Sequence, residues 1–376
     1  MKKTILLGTV LLVGLAGCRT SNQKEATATT DSTDWALLSF VKVDSLNPII
    51  RPSAALEFMD PILKKSVKWE EKDVFNPAAV VRNGQVYMIY RAEDVIGKFA
   101  GTSRMGLAVS DDGLHFKKEP APVFYPDNDA WKKYEWEGGC EDPRIVESSP
   151  DGKSEGIYIM TYTSYDGTTA RLMLATSPDL RRWTKHGPIL GGKFLNTWSK
   201  SGAIVSKRVG EKIVAEKVAG KYWMYFGDTD LFIASSDDLI HWTPLEDSTA
   251  QNGLKSVLKP RPGQFDSQLV EPGPYALLTE KGIVLIYNAA NKGDTNNPTL
   301  PNMTYAAGQA LYSASDPTKL IARLDSNFFR PDKPYELVGQ VNNVCFLEGL
   351  VPFKGKWFLY YGTADSKIAV AVRESL

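Results

Sequence analysis

Short runs of aromatic and β-branched residues recur along the chain, separated by polar turns, and no stretch sustains the period of an amphipathic helix. Five times a glycine opens such a run, at 84–90, 156–162, 220–226, 282–287 and 355–361, as in Gly220-Lys221-Tyr222-Trp223-Met224-Tyr225-Phe226. These glycines stand 62 to 73 residues apart. Each glycine follows another short apolar segment, such as Ala78-Ala79-Val80-Val81 or Ala203-Ile204-Val205, so each unit is predicted to start with a β-hairpin. A second signature trails the hairpins: Ser110-Asp111-Asp112-Gly113-Leu114-His115-Phe116, Ser177-Pro178-Asp179-Leu180-Arg181-Arg182-Trp183 and Ser236-Asp237-Asp238-Leu239-Ile240-His241-Trp242, with a degenerate copy at Ser315-Asp316-Pro317-Thr318-Lys319-Leu320. In such a turn the Asp side chain holds a tight reversal and the aromatic packs between units. His115 and His241 fall inside copies and His186 just beyond one, which assigns all three histidines to turns rather than to catalysis.

Five such units of short strands predict an all-β fold, a five-bladed β-propeller in which each blade covers its neighbour's face. At 376 residues the chain has the length of two or three average domains. The repeat overrules that prior in favour of one closed ring over residues 35–376.

The N-terminus carries an address. Lys2 and Lys3 precede an apolar run at 5–14, too short to span a membrane as a helix, and the run ends in Leu15-Ala16-Gly17-Cys18. That tetrapeptide resembles a bacterial lipobox. The expectation is a signal peptide over 1–17, lipidation at Cys18, a polar tether over 18–34 and a body held at the bacterial cell envelope by the lipid alone. A signal with an ordinary small-residue cleavage site is the alternative. Lys+Arg and Asp+Glu both number 44, so no global field gathers nucleic acid or draws the body to an acidic membrane. Cys140 and Cys345 provide no disulfide framework, and no Cys/His spacing suits zinc.

Polar residues at the predicted strand entries indicate a site. The innermost strand of each blade lines the central channel, and the five entries read Asn76-Pro77, Asp142-Pro143, Lys200-Ser201, Glu271-Pro272 and Asn342-Asn343. Turn propensity explains Asn, Asp and Pro there; it does not explain Lys200, Glu271 or the acidic pair Glu141-Asp142 followed by Arg144. Arg144 is expected to orient a carboxylate or grip a substrate oxygen. The second strands end in Arg91-Ala92-Glu93-Asp94, Asp228-Thr229-Asp230, Asn288 and Asp365. Carboxylates, Arg, Lys and Asn among aromatics describe a carbohydrate pocket, because sugars present hydroxyls to charged acceptors and C–H faces to rings. An oxygen-only metal site is the competing idea, but no local loop has ligand spacing; no metal and no cofactor are expected. Two axial carboxylates suit glycoside cleavage, one acid protonating the leaving oxygen and one base activating water, with about 6.5–9.5 Å between them if the reaction inverts.

These motifs resemble glycoside hydrolase family 130, the mannoside phosphorylases and β-mannosidases. The resemblance rests on Phe75-Asn76-Pro77-Ala78, Tyr90-Arg91-Ala92-Glu93, Gly139-Cys140-Glu141-Asp142-Pro143-Arg144-Ile145, the strand 220–225 and Tyr360-Tyr361-Gly362-Thr363-Ala364-Asp365. It implies a five-bladed propeller, Asp142 as catalytic acid acting through a sugar hydroxyl, and Asn76, Arg91, Glu93, Glu141, Arg144, Lys200, Asp228 and Asp365 as substrate contacts. Phosphorylases of the family carry a His-Arg pair where this chain has Phe226-Gly227-Asp228, so the resemblance implies water as nucleophile and Glu271 as its base. The expected activity is an inverting, exo-acting β-mannosidase on mannose-containing oligosaccharides, with β-1,2 links favoured. A β-mannoside phosphorylase and a non-catalytic glycan-binding propeller are the alternatives.

Overall fold

A computed structural model of the chain describes residues 33–99, 101–148, 156–293, 295 and 300–374; the leader, Cys18 and the tether up to residue 32 lie outside them. Asp34–Leu376 forms one compact unit. It is nearly all β, its helices being single turns such as Lys132–Glu135 and Pro334–Leu337.

The strands follow one another as antiparallel meanders. The first runs Asp73–Arg82, Gln85–Glu93, Ser103–Ser110 and Lys117–Lys118. The second runs Gly139–Ser148, Ile157–Tyr165, Ala170–Ser177 and Thr184–Pro188. A third begins at Ala203–Val209 and continues through Tyr222–Phe226, Leu231–Ser236 and Trp242–Pro244. A fourth contains Leu269–Pro272, Gly282–Ala290, Tyr305–Tyr312 and Leu320–Arg323. The last, Cys345–Phe353, Lys356–Thr363 and Lys367–Glu374, takes its outer strand from the other end of the chain: Val41–Lys42 pairs with Val372 and Ala371.

The third meander departs from the simple hairpin. Ala203 and Ile204 pair with Tyr225 and Met224, but the chain between them first doubles back through Lys212–Ala215. That added strand pairs alongside the second meander at Glu147, whose carboxylate receives Lys212 Nζ at 2.7 Å. Gly220 therefore closes a small turn bridged by Val218 and Lys221.

The Ser-Asp signature behaves as turn chemistry. Ser110, Ser177 and Ser236 accept the amides of Gly113, Leu180 and Leu239, while Asp112, Asp179 and Asp238 each accept two following amides. The rings of His115 and His241 contact these same aspartates, and His186 bonds Thr176.

A further repeat lies in the core. Tyr90, Tyr162, Tyr287 and Tyr361 on the second strands donate to the buried carboxylates of Glu70, Glu135, Asp266 and Glu336 at 2.8–2.9 Å. A cation answers each carboxylate: Lys118 for Glu70, Lys185 for Glu135 at 2.5 Å, Arg323 for Asp266 at 2.6 Å and Lys42 for Glu336 at 2.7 Å. The third meander has Phe226 at this place, with no hydroxyl to satisfy. Two of the tyrosine rings lie over glycines of the third strand; a Cβ on Gly106 or Gly308 would stand 2.4 or 2.3 Å from Tyr90 or Tyr287. Cys140 and Cys345 are free, buried thiols beside the second and last of these clusters.

Lys42 thus ties the first strand to the helical turn Pro334–Leu337 by a buried ion pair, and removing one partner of such a pair leaves an uncompensated charge. Lys42→Ala is expected to cost about 3–5 kcal/mol of unfolding free energy, read from urea titrations, with Lys42→Arg restoring much of it; an unchanged midpoint for Lys42→Ala would show that this contact does not hold the closure.

Candidate active site

The innermost strands carry irregularities that turn one residue out of the pleat. The register shifts between Phe75 and Pro77, between Glu141 and Arg144, and between Leu347 and Gly349. Such bulges leave a residue without a cross-strand partner and re-aim its side chain. Asn76 (φ 47°), Asp142 (φ 51°) and Ser201 (φ 58°) adopt the left-handed backbone that Asn and Asp tolerate best. The pairing of Pro77 with Tyr90 and of Pro272 with Tyr287 puts Asn76 and Glu271 at the same level of their meanders.

In the last meander the residue at that level is Phe346, before Leu347, the partner of Tyr361, and not the Asn342-Asn343 expected from sequence. The Asn pair forms a turn before the strand, with Asn342 exposed, and the bulge comes only after Leu347. In the third, Ser201 takes the bulge position and Lys200 flanks it.

Asn76, Arg91, Asp142, Lys200, Glu271 and Asp365 line one cavity of about 160 Å³, walled by Phe75, Tyr305 and Phe346. Asp142 is the hub. Its Oδ1 accepts Asn76 Nδ2 at 3.0 Å and Arg91 Nη1 at 3.1 Å, and its Oδ2 lies 3.4 Å from Lys200 Nζ. Arg91 also meets Glu93 Oε1 at 2.7 Å and Glu141 Oε1 at 3.1 Å, and its guanidinium lies 4.6 Å from the Phe75 ring centre. Glu93 and Glu141 therefore stand behind Arg91, outside the cavity lining. The Ser201 hydroxyl donates to Glu271 Oε1.

The carboxylates divide electrostatically. Burial raises Asp142, but Arg91 and Lys200 overrule it and hold the group well below the ordinary aspartate range. Burial prevails at Glu271, which is raised despite Lys200, and at Asp365, pushed up to about 7 despite Arg91. Burial also raises Glu141. Glu348 lies 3.0 Å from Arg144 Nη2, yet neither of its oxygens receives a hydrogen bond, and burial drives it far above the ordinary glutamate value. Glu348 is a buried group outside the cavity lining.

Several polar side chains expected at the site are committed elsewhere. Arg144 does not face the cavity: its guanidinium donates to the carbonyls of Gly273 at 2.7 Å, Pro272 at 2.6 Å and Asp142 at 3.1 Å, so it fixes the strand that bears Glu271. Arg171 is likewise committed, to Asp166 and Asn196. Asp228 lines a neighbouring groove, where its Oδ2 accepts Trp198 Nε1 at 2.6 Å. Asn288 braces the adjoining strand through both the amide and the carbonyl of Leu347. Sequence reasoning missed Tyr305 and Trp198; the position of Trp198, two residues before the Lys200 entry, was the available signal.

With this geometry in view, the chain can be compared with known proteins. The family profile described as beta-1,4-mannooligosaccharide phosphorylase, that of glycoside hydrolase family 130, matches residues 44–375. A 1,2-beta-oligomannan phosphorylase of Thermoanaerobacter sp. (strain X514) is 34% identical over 325 residues, 84% of this chain and 95% of the relative. The crystal structure of a glycosyl hydrolase from Bacteroides ovatus superposes with a TM-score of 0.86 at 48% identity, covering 92% of this chain and 96% of that one. Another structure, at 46% identity and a TM-score of 0.86 over 91% and 96% of the two chains, is described by the statement that the GH130 family of mannoside phosphorylases contains glycoside hydrolases that target beta-1,2 mannosidic linkages in Candida mannan. The axial carboxylate cavity and these likenesses agree: this chain belongs to glycoside hydrolase family 130.

Proposed function

We propose that the protein is an inverting, exo-acting β-mannosidase that uses water as nucleophile, with β-1,2-linked mannosides as the favoured substrates, and that its meanders are the five blades of one propeller. The observation that carries this reading is the charge inventory of the cavity. Asp142, Glu271 and Asp365 face it against Arg91 and Lys200, and Arg91 is already shared among Glu93, Glu141 and Asp142. Both cations of the cavity lining are already engaged by carboxylates, so a phosphate dianion would find no uncommitted cation there, whereas a neutral sugar and a water meet acceptors and donors. The relative described as acting on beta-1,2 mannosidic linkages supports the linkage and the hydrolytic reading. A cavity this small, against roughly 300–1,000 Å³ for drug-sized ligands, suits one terminal sugar ring.

In the proposed reaction Glu271 takes a proton from water as it attacks the anomeric carbon, and Asp142 supplies a proton, through a sugar hydroxyl, to the departing glycosidic oxygen. In the resting protein Arg91 and Lys200 hold Asp142 ionised. The productive complex therefore requires the sugar to loosen those contacts so that Asp142 takes up a proton before it acts. Asn76, Arg91 and Asp365 are proposed to hold the sugar, and Glu93, Glu141 and Arg144 to position the groups that do.

The phosphorylase reading keeps specific support: on the names of the curated relatives it is the better backed of the two, since the 1,2-beta-oligomannan phosphorylase and a 31%-identical beta-1,2-mannobiose phosphorylase both match across most of the chain. The lipid anchor at Cys18, the leader and tether before the ring, and an envelope location are also proposals, supported by the Leu15-Ala16-Gly17-Cys18 tetrapeptide.

Incubation with β-1,2-mannobiose in phosphate-free buffer is expected to release free mannose; mannose 1-phosphate formed only when phosphate is added would establish the phosphorylase. Asp142→Asn should retain the fold and lose turnover by about 10² or more, measured by mannose release. Glu271→Gln should be similarly slow and be rescued by azide with formation of the α-mannosyl azide, whereas a wild-type rate would remove Glu271 as base. Because burial raises Glu271 and a base must be ionised, kcat/KM should fall as pH drops through a value above the ordinary 4.5; an acid limb at or below that value in the pH profile would contradict the assignment.

A further inference from the structure

We propose that the groove beside the axial cavity binds the second and further sugars of an oligomannoside, on the leaving-group side of the cleaved bond, with Trp198 as its platform. This rests on the reading of the axial cavity as the site that holds the terminal mannose.

The cavity has room for one ring, so the rest of a chain must leave it sideways. The adjoining groove has about 1150 Å³ and a mixed lining that includes Trp198, Asp228, Asp230, Gln251 and Asn252. Asp228 joins the two spaces. It lies in the groove wall, the Gly227 amide before it bonds the Lys200 carbonyl at 2.9 Å, and its charge acts on both Lys200 and Glu271.

Trp198 is 49% exposed, unusual for an indole whose nitrogen is already bonded. The Asp228 contact fixes the ring's orientation, and Tyr165 backs it edge-on at 6.3 Å between centroids, with Phe99 a further 5.7 Å from Tyr165. A pre-oriented, half-exposed indole beside carboxylates and amides matches a sugar ring, which offers a C–H face to the ring and hydroxyls to the acceptors. An apolar partner would leave Asp228, Asp230, Gln251 and Asn252 without partners, at a cost.

The test compares β-1,2-mannobiose with β-1,2-mannotetraose as substrates for the wild type and Trp198→Ala. The ratio of kcat/KM for the tetraose to that for the biose should fall about tenfold in Trp198→Ala, the scale of one aromatic contact, and the loss should lie in KM. Trp198→Phe, which keeps a ring, should fall between the two and serves if the alanine variant misfolds. Calorimetric titration of the tetraose into Asp142→Asn and into the Asp142→Asn/Trp198→Ala double variant gives the same comparison without turnover. Unchanged kcat/KM for both substrates in Trp198→Ala would overturn the groove assignment and leave the catalytic reading intact. Failure of the wild type to bind or cleave either mannoside would overturn both.

Discussion

The structure depends on a buried hydrogen bond repeated in four of the meanders: a tyrosine hydroxyl on a second strand held to a carboxylate that a Lys or Arg neutralises. Three of the four tyrosines lie across from a register break in the strand they pair with, and the fourth, Tyr287, faces an unbroken one. Tyr90 pairs with Pro77 next to Asn76, Tyr287 with Pro272 next to Glu271, and Tyr361 with Leu347 next to Glu348, while Tyr162 lies opposite the bulge holding Asp142. A bulge alone is a soft element. Backed by a buried ring whose hydroxyl and cation are both committed, it holds an axial side chain in one orientation, which is what a catalytic carboxylate requires.

This arrangement explains how carboxylates can crowd at one axis. Desolvation raises Glu271, Asp365 and Glu348, and the few cations present are spent on Asp142 and its neighbours. Arg144 and Asn288 then serve the scaffold, tying the strands of Glu271 and Leu347 to their neighbours through backbone carbonyls and amides. The division between groups that touch the cavity and groups that hold them follows from whether a guanidinium or amide finds a backbone partner first.

Much of this was legible in the chain. The glycine-led runs marked the hairpins outside the third meander, and the Ser-x-Asp turns accounted for His115 and His241, while His186 lies in the strand Thr184–Pro188, because both signals are local chemistry written in consecutive residues. Asn76, Asp142 and Glu271 were identifiable because a polar residue ahead of an apolar strand has few other uses. The Tyr–carboxylate–cation clusters were not, since Tyr361, Glu336 and Lys42 meet only when the two ends of the chain share a sheet. Asn342-Asn343 misled because a turn signal marks where a strand is approached, whereas the residue that reaches the cavity, Phe346, is set by the pairing inside it.

Sequence by itself determined the all-β character, the repeat and the identity of the axial acids, for strand periodicity and turn propensity act over a few residues. Tertiary structure decided which cations were free, that Arg144 faces backbone instead of ligand, and that Trp198 stands beside Asp228 at the mouth of a groove. Those depend on distances between residues from different meanders, and electrostatic and packing energies are functions of such distances, which the order of residues in a chain does not contain.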